Sequence, residues 1–188
     1  MNIAAKSHTG LDRPEGLPLK DFAEASHELE LEDFEQLYGA GFLLHRGLLN
    51  SAPRRAGGAT TMALETPPAA SLPPGLDFLV FPVRKSSRSA YSLFVSIGRD
   101  DNHDIVLPDE SVSRFHAYVT VDAAGRFLLY DSGSRNGTMV NEKPAPARGE
   151  GQGLELEPGA RVRLGRIEMT FVKAPELRTL AQKLRKAK

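Results

Sequence analysis

Cysteine and tryptophan are both missing from this 188-residue chain, which carries only 4 tyrosines and 9 phenylalanines. Without cysteine, disulfides, thiol nucleophiles and thiolate metal sites are excluded. Long apolar runs are missing as well: no uninterrupted stretch approaches the roughly 18 residues that cross a bilayer. Met1 to Gly10 lacks the apolar segment of a secretory signal, so the expected location is the cytoplasm. Net charge is absent too, with 24 basic and 24 acidic side chains, so no global field draws nucleic acid or an anionic membrane. What is present, 40% hydrophobic and 26% charged residues, describes a soluble globular protein with one core.

The balance is uneven along the chain. Residues 1–50 hold four basic and nine acidic side chains, whereas 173–188 hold six basic and one acidic. The two ends are candidates to meet, although exposed charges of this kind are usually solvated faces.

The stretch up to Lys20, with Gly10, Pro14, Gly16 and Pro18, has too few apolar residues to hold itself together and is expected to be mobile. Asp21 and Glu24 stand at capping-box spacing, and Leu31, Phe34, Leu37 and Tyr38 recur at helical spacing, which predicts a helix within 21–38. The alternation of Glu28 to Glu32 suits a strand equally well. A short strand is expected at Phe42 to Leu44. Residues 1–49 are therefore taken as a partly helical extension and 50–75, rich in Pro, Ala and Gly, as a linker. From 76 to 173, nine short runs of β-branched and aromatic residues alternate with polar ones between turn residues, which predicts an all-β, two-sheet antiparallel sandwich. The last segment, 174–188, places Leu177, Leu180, Ala181 and Leu184 on one face of a basic amphipathic helix, expected to pack on the sandwich.

Three loop motifs punctuate the strand pattern: Gly98-Arg99, Ser113-Arg114-Phe115-His116, and Asp131 through Asn136-Gly137-Thr138. In this order and at these separations they resemble the forkhead-associated (FHA) domain, a family of phosphothreonine-binding β-sandwiches, from about Leu76 to Val172. The resemblance implies a phosphopeptide site at Arg99, Ser113, Arg114, Arg135 and Asn136, supported structurally by Gly98, His116, Asp131, Gly137 and Thr138. It also implies a small apolar pocket for the threonine methyl group between the loops of Ser113 and Asn136. The residue types suit that task on their own chemistry. A phosphothreonine brings about −1.5 to −2 charges and three acceptor oxygens. Arg99 offers a planar fork for two of those oxygens, Ser113 a hydroxyl, Arg114 and Arg135 further cations, and Asn136 an amide able to hold peptide backbone.

The expected function is a non-catalytic adaptor in Ser/Thr kinase signalling, with a phosphothreonine-containing kinase or kinase substrate as partner and no cofactor. A phosphate-independent scaffold is the first rival. The second, a small hydrolase using Ser113, His116 and Asp131, lacks a Gly-x-Ser-x-Gly elbow around the serine. His103 and Asp104 fall short of a metal site, and Gly149-x-Gly151-x-Gly153 lacks the strand and helix of a phosphate cradle. Thr60, Thr61 and Thr66 are candidates, once phosphorylated, for intramolecular binding at the Arg99 site. One departure from the family pattern is Glu142, which follows Asn141 where a glycine is usual, and it leaves the neighbouring edge open to a different shape.

Overall fold

The computed structural model describes residues 13–47 and 78–185. Its strands are β1 (Leu17–Pro18), β2 (Gly41–Arg46), β3 (Phe78–Pro82), β4 (Val95–Gly98), β5 (Ile105–Val106), β6 (Ala117–Val121), β7 (Phe127–Asp131), β8 (Thr138–Val140), β9 (Lys143–Pro144), β10 (Leu154–Glu155), β11 (Arg161–Leu164) and β12 (Ile167–Lys173). A 3-10 turn (Leu19–Phe22) leads into α1 (Ala23–Glu28) and α2 (Leu31–Tyr38), and α3 (Ala174–Arg185) follows β12. Strands order as β1-β3-β2-β12-β11-β8-β9 in one sheet and β10-β7-β6-β4-β5 in the other. All pairings are antiparallel except β4 with β5. Leu43, Phe81, Val95, Ile97, Val119, Leu129, Leu164 and Phe171 fill the space between the sheets.

The expected division at residue 76 does not survive. β2 pairs with β12 through Leu44↔Thr170 to Gly41↔Lys173, and with β3 through Phe42↔Pro82 to Arg46↔Phe78. The "extension" therefore supplies an interior strand of the larger sheet, and β2 and β3 form an antiparallel pair that the chain leaves after Gly47 and rejoins at Phe78. The segment expected as a linker, with Thr60, Thr61 and Thr66, lies outside the described residues, but it is placed within the domain's connectivity. Sequence reading failed here because a Pro-rich insertion between paired strands has the same composition as an interdomain spacer.

Strand alternation explains what the helices do. On β2, Leu43 points into the sandwich while Phe42 and Leu44 face outward. Together with Val80 and Val172 they form an apolar platform on the outer face of the larger sheet, covered by Phe22, Phe34, Tyr38, Leu177 and Ala181. Phe22 and Phe34 sit 5.0 and 4.7 Å from Tyr38 by ring centroid. Burial of each such large side chain contributes about 1.5–3 kcal/mol. The molecule is a sandwich with a third, helical layer. Within the opening stretch expected to be mobile, Leu17 and Leu19 are buried in this layer, because the platform supplies apolar contacts the segment cannot supply to itself.

The oppositely charged ends do meet, through backbone rather than carboxylates. Arg178 of α3 donates to the Ser26 and Leu29 carbonyls and Gln182 to the Ser26 carbonyl at 2.6 Å, at the negative end of α1. Among the described residues, no ion pair joins α3 to residues 13–47.

The β8–β9 hairpin resolves the Glu142 departure. Val140 pairs with Lys143 across a two-residue turn in which Asn141 and Glu142 both have positive φ, 47° and 66°. This is the turn that favours Asn-Gly, and a non-glycine residue there carries strain of about 1–2 kcal/mol. Asn141 is held by its Oδ1, which accepts from the Arg161 amide at 2.9 Å. Glu142 has only a 3.7 Å exposed pair with Arg161 in return. Glu142→Gly is expected to stabilise the protein by about 1 kcal/mol, read as a higher denaturation midpoint with unchanged m-value.

Candidate functional site

The site is assembled by loops after β4, before β6 and between β7 and β8. At the end of β4, a Cβ on Gly98 would overlap the Arg114 carbonyl oxygen and the His103 ring, so the two loops approach as closely as they do only because the residue is glycine. The Arg99 amide then donates to the Ser113 carbonyl at 3.0 Å and the His116 amide to Ile97 at 2.9 Å.

His116 is fully buried and joins all three loops. Its Nδ1 accepts from the Ser113 amide at 2.9 Å, which requires the other nitrogen to carry the proton; Nε2–H donates to the Gly137 carbonyl at 3.1 Å. Its own carbonyl accepts from the Ser132 amide. Burial lowers its pKa, against smaller opposing effects of the Gly137 carbonyl and Asp131. The imidazole is thus a neutral brace. Ser113 Oγ accepts from the Arg135 amide at 3.0 Å and makes no bond to His116, and the Asp131 carboxylate is bound elsewhere, so no Ser-His-Asp relay is assembled.

Asp131 organises the third loop. Oδ1 accepts from the Ser134 amide at 2.7 Å; Oδ2 accepts from the Ser134 and Thr138 hydroxyls, each at 2.6 Å. Burial alone would raise this carboxyl, but the hydrogen bonds, Ser134 first, outweigh it and hold the group ionised below the usual carboxylate range. The closed loop ends in Gly137 at φ 75° and projects Arg135 and Asn136 outward. Asn136 Nδ2 donates across to the Ser111 carbonyl at 2.8 Å.

These loops surround an open cleft of about 580 Å³ lined by Arg99, Ser113, Arg114, Arg135 and Asn136, with Val112 as buried apolar lining beside Ser113. All five sequence-derived binding residues converge there, and the five supporting residues lie beneath or between them. Among the described residues, Arg99, Arg114 and Arg135 have no carboxylate at ion-pair distance. Asp104, on the segment that follows Arg99, is bound by Lys85 at 2.7 Å and by Ser86 and Ser96. With the Ser113 Oγ acceptor side used by Arg135, its proton remains available to an acceptor in the cleft.

Several contributors were invisible to sequence reading. Asp109 is buried, accepts from Arg166 Nε and Nη2 at 2.9 and 2.7 Å, and turns back to the Ser111 amide, fixing the loop that presents Ser113. Tyr91, His103 and Phe115 form one wall of the cleft. Acidic and arginine residues 57 positions apart give no local pattern, so no periodicity could have revealed the first pair. Among the described residues, no cluster of three or more His, Asp or Glu could hold a metal, and no helix is long and apolar enough to cross a membrane.

A neutral buried brace makes the domain pH-sensitive. The folded His116 takes a proton at lower pH than the free imidazole, and His103, also depressed chiefly by burial, behaves alike. Between the two values the unfolded chain binds more protons, so this stability is complete above pH ~6.5 and declines as pH falls through that value toward the folded pKa. Denaturation midpoints at pH 7.5 and 5.5 are expected to differ in that direction, with a smaller difference in His116→Gln.

A β-sandwich whose loops present an arginine-rich cleft defines the class, and comparison supplies the family. The FHA domain model matches residues 95–165. The glycogen accumulation regulator GarA of Mycobacterium tuberculosis is 33% identical over 108 residues, 56% of this chain and 62% of that protein. The oxoglutarate dehydrogenase inhibitor of Corynebacterium diphtheriae is 32% identical over 132 residues, 68% of this chain and 84% of that protein. The solved structure of Mycobacterium tuberculosis EmbR with a low-affinity phosphopeptide shares 22% identity and a TM-score of 0.42, over 71% of this chain and 24% of that one. The chain belongs to the FHA domain family. Its match spans less than two thirds of GarA's length.

Proposed function

We propose that this chain is a non-catalytic cytoplasmic adaptor that binds a phosphothreonine-containing protein, a Ser/Thr kinase or a kinase substrate, in the cleft at Arg99. The observation that carries the reading is the convergence of Arg99, Ser113, Arg114, Arg135 and Asn136 on one cleft, with the three guanidinium groups lacking carboxylate partners among the described residues. In this reading Arg99 and the Ser113 hydroxyl hold phosphate oxygens, Arg114 and Arg135 add positive charge, Asn136 holds peptide backbone, and Val112 contacts the threonine methyl. Charge-assisted hydrogen bonds contribute about 1.5–3 kcal/mol each, so three or four of them support micromolar binding after ordering costs. The names of the bacterial relatives, a regulator and an inhibitor, agree with action by binding. The test is titration of a phosphothreonine peptide library and its unphosphorylated twins against the full chain. Equal affinity for both members of each pair would turn the reading toward a phosphate-independent scaffold.

A further inference from the structure

Residues 13–18 join the two sheets along one side of the sandwich. The Pro14 carbonyl accepts from the Val106 amide of β5 at 2.7 Å, and four residues later the same segment is paired with β3, Leu17 with Val80 and Pro18 with Leu79. Gly16 makes the step between the sheets. Its φ is 88°, and a Cβ there would fall 2.8 Å from the Phe81 ring, so the backbone lies directly on a core side chain as only glycine allows. Pro14 and Leu17, on either side of it, are buried. The segment is a strap, anchored at both ends and in the middle.

The strand it backs is the weakest point of the smaller sheet and the one nearest Arg99. β5 has two residues, stands at the edge of its sheet and pairs with β4 in parallel, Ile97 with Ile105 and Gly98 with Val106. Parallel pairs are the less stable kind, and short edge elements open more readily than interior ones. The Leu107 amide then donates to the Gly98 carbonyl at 2.8 Å, which ties the end of β5 to the residue before Arg99. Gly98 in turn rests against the Arg114 carbonyl and the His103 ring, and the Arg99 amide donates to the Ser113 carbonyl. The strap therefore lies one strand beyond β5, roughly 10 Å from Gly98 at two strand spacings of about 4.8 Å, and supports the far side of the strand that sets the Gly98–Arg99 turn. None of residues 13–18 lines the cleft itself.

We infer that the Arg13–Pro18 strap is a positioning element of the phosphopeptide site: by holding β5 against β4 it fixes the Gly98–Arg99 turn, so that strap attachment and peptide binding reinforce each other. The inference rests on the phosphothreonine reading of the cleft. The test uses the full chain and a phosphothreonine peptide selected on it from an oriented library. Because coupling between two sites is reciprocal, saturating peptide is expected to slow hydrogen exchange of the wild-type Val106 amide by about tenfold. The Gly125 amide, in the β6–β7 turn at the end of the sandwich away from the cleft, is expected to keep its rate. Gly16→Ala, which pushes the strap off Phe81, is expected to speed Val106 exchange in the free protein and to weaken peptide binding, each by about tenfold. Phe127→Leu loosens the core at its contact with Phe171, remote from strap and cleft, and is expected to keep wild-type affinity wherever it is folded. Arg99→Ala is expected to lose binding with Val106 exchange in the free protein unchanged. A wild-type Val106 amide indifferent to bound peptide, wild-type affinity in Gly16→Ala, or an equal loss of affinity in Phe127→Leu overturns the coupling and leaves the phosphothreonine reading standing. The wild-type exchange measurement decides the matter if Gly16→Ala does not fold. Absence of phosphopeptide binding by wild type overturns the underlying reading and the coupling together.

Discussion

Arg99→Ala is expected to weaken phosphothreonine-peptide binding by about 100-fold or more while leaving the melting temperature unchanged. The size follows from the fork: two charge-assisted hydrogen bonds to phosphate contribute together about 3 kcal/mol or more, and each 1.4 kcal/mol is tenfold. The unchanged stability follows from the setting. Arg99 is exposed, its side chain makes no hydrogen bond or ion pair among the described residues, and its amide bond to the Ser113 carbonyl survives the substitution. Arg99→Lys keeps the charge but loses the two-pronged geometry and is expected to fall between. Calorimetric titration with matched peptides reads all three proteins. Retention of wild-type affinity by Arg99→Ala would remove the residue from the site.

Asp131→Ala is expected to do the opposite, destabilising the fold by roughly 3–5 kcal/mol and weakening binding secondarily. Removing this buried carboxylate strands the Ser134 amide and the Ser134 and Thr138 hydroxyls, and each unmet buried partner costs about 1–3 kcal/mol. The loop that the carboxylate closes presents Arg135 and Asn136, so affinity should fall even at temperatures where the domain stays folded. Asp131→Asn keeps the shape with weaker, uncharged acceptance and is expected to lose less. Chemical denaturation of the two variants beside wild type gives the ordering. A destabilisation below about 1 kcal/mol for Asp131→Ala would mean that water satisfies the loop as well as the carboxylate does.

The two substitutions probe different layers of one design. The proposed binding groups Arg99, Arg114, Arg135 and Asn136 stand on exposed loop tips, where an anion could reach them. The groups that aim them, Gly98, His116, Asp109 and Asp131, are buried beneath, where hydrogen bonds meet little competition from water. His116 shows the separation most clearly: it lies next to the ligand groups in sequence, yet both its nitrogens are committed to backbone.

Much of this was legible without coordinates. The alternating runs expected between 76 and 173 are met by strands, β8 and β11 among them, because alternation of inward and outward residues is a local signal that strand geometry imposes. The cleft residues were legible because Gly-Arg, Ser-x-x-His and Asn-Gly-Thr, in that order and at those separations, resemble the FHA pattern, and all three motifs lie at one cleft. The helix at 21–38 was found but not its break at Leu29 and Glu30, where the alternating Glu and Leu pattern left helix and strand undecided.

Strand grammar, loop chemistry and the amphipathic terminal helix were properties of the sequence itself, since each depends on residues within one or two turns of one another. Folding in three dimensions decided the rest: that β2 closes against β12 and β3 from the far side of an insertion, that the described helices pack on the outer face of the larger sheet, and that Lys85 neutralises Asp104. Those outcomes depend on which faces meet and which charges are removed from water, and a linear pattern holds neither distance nor burial.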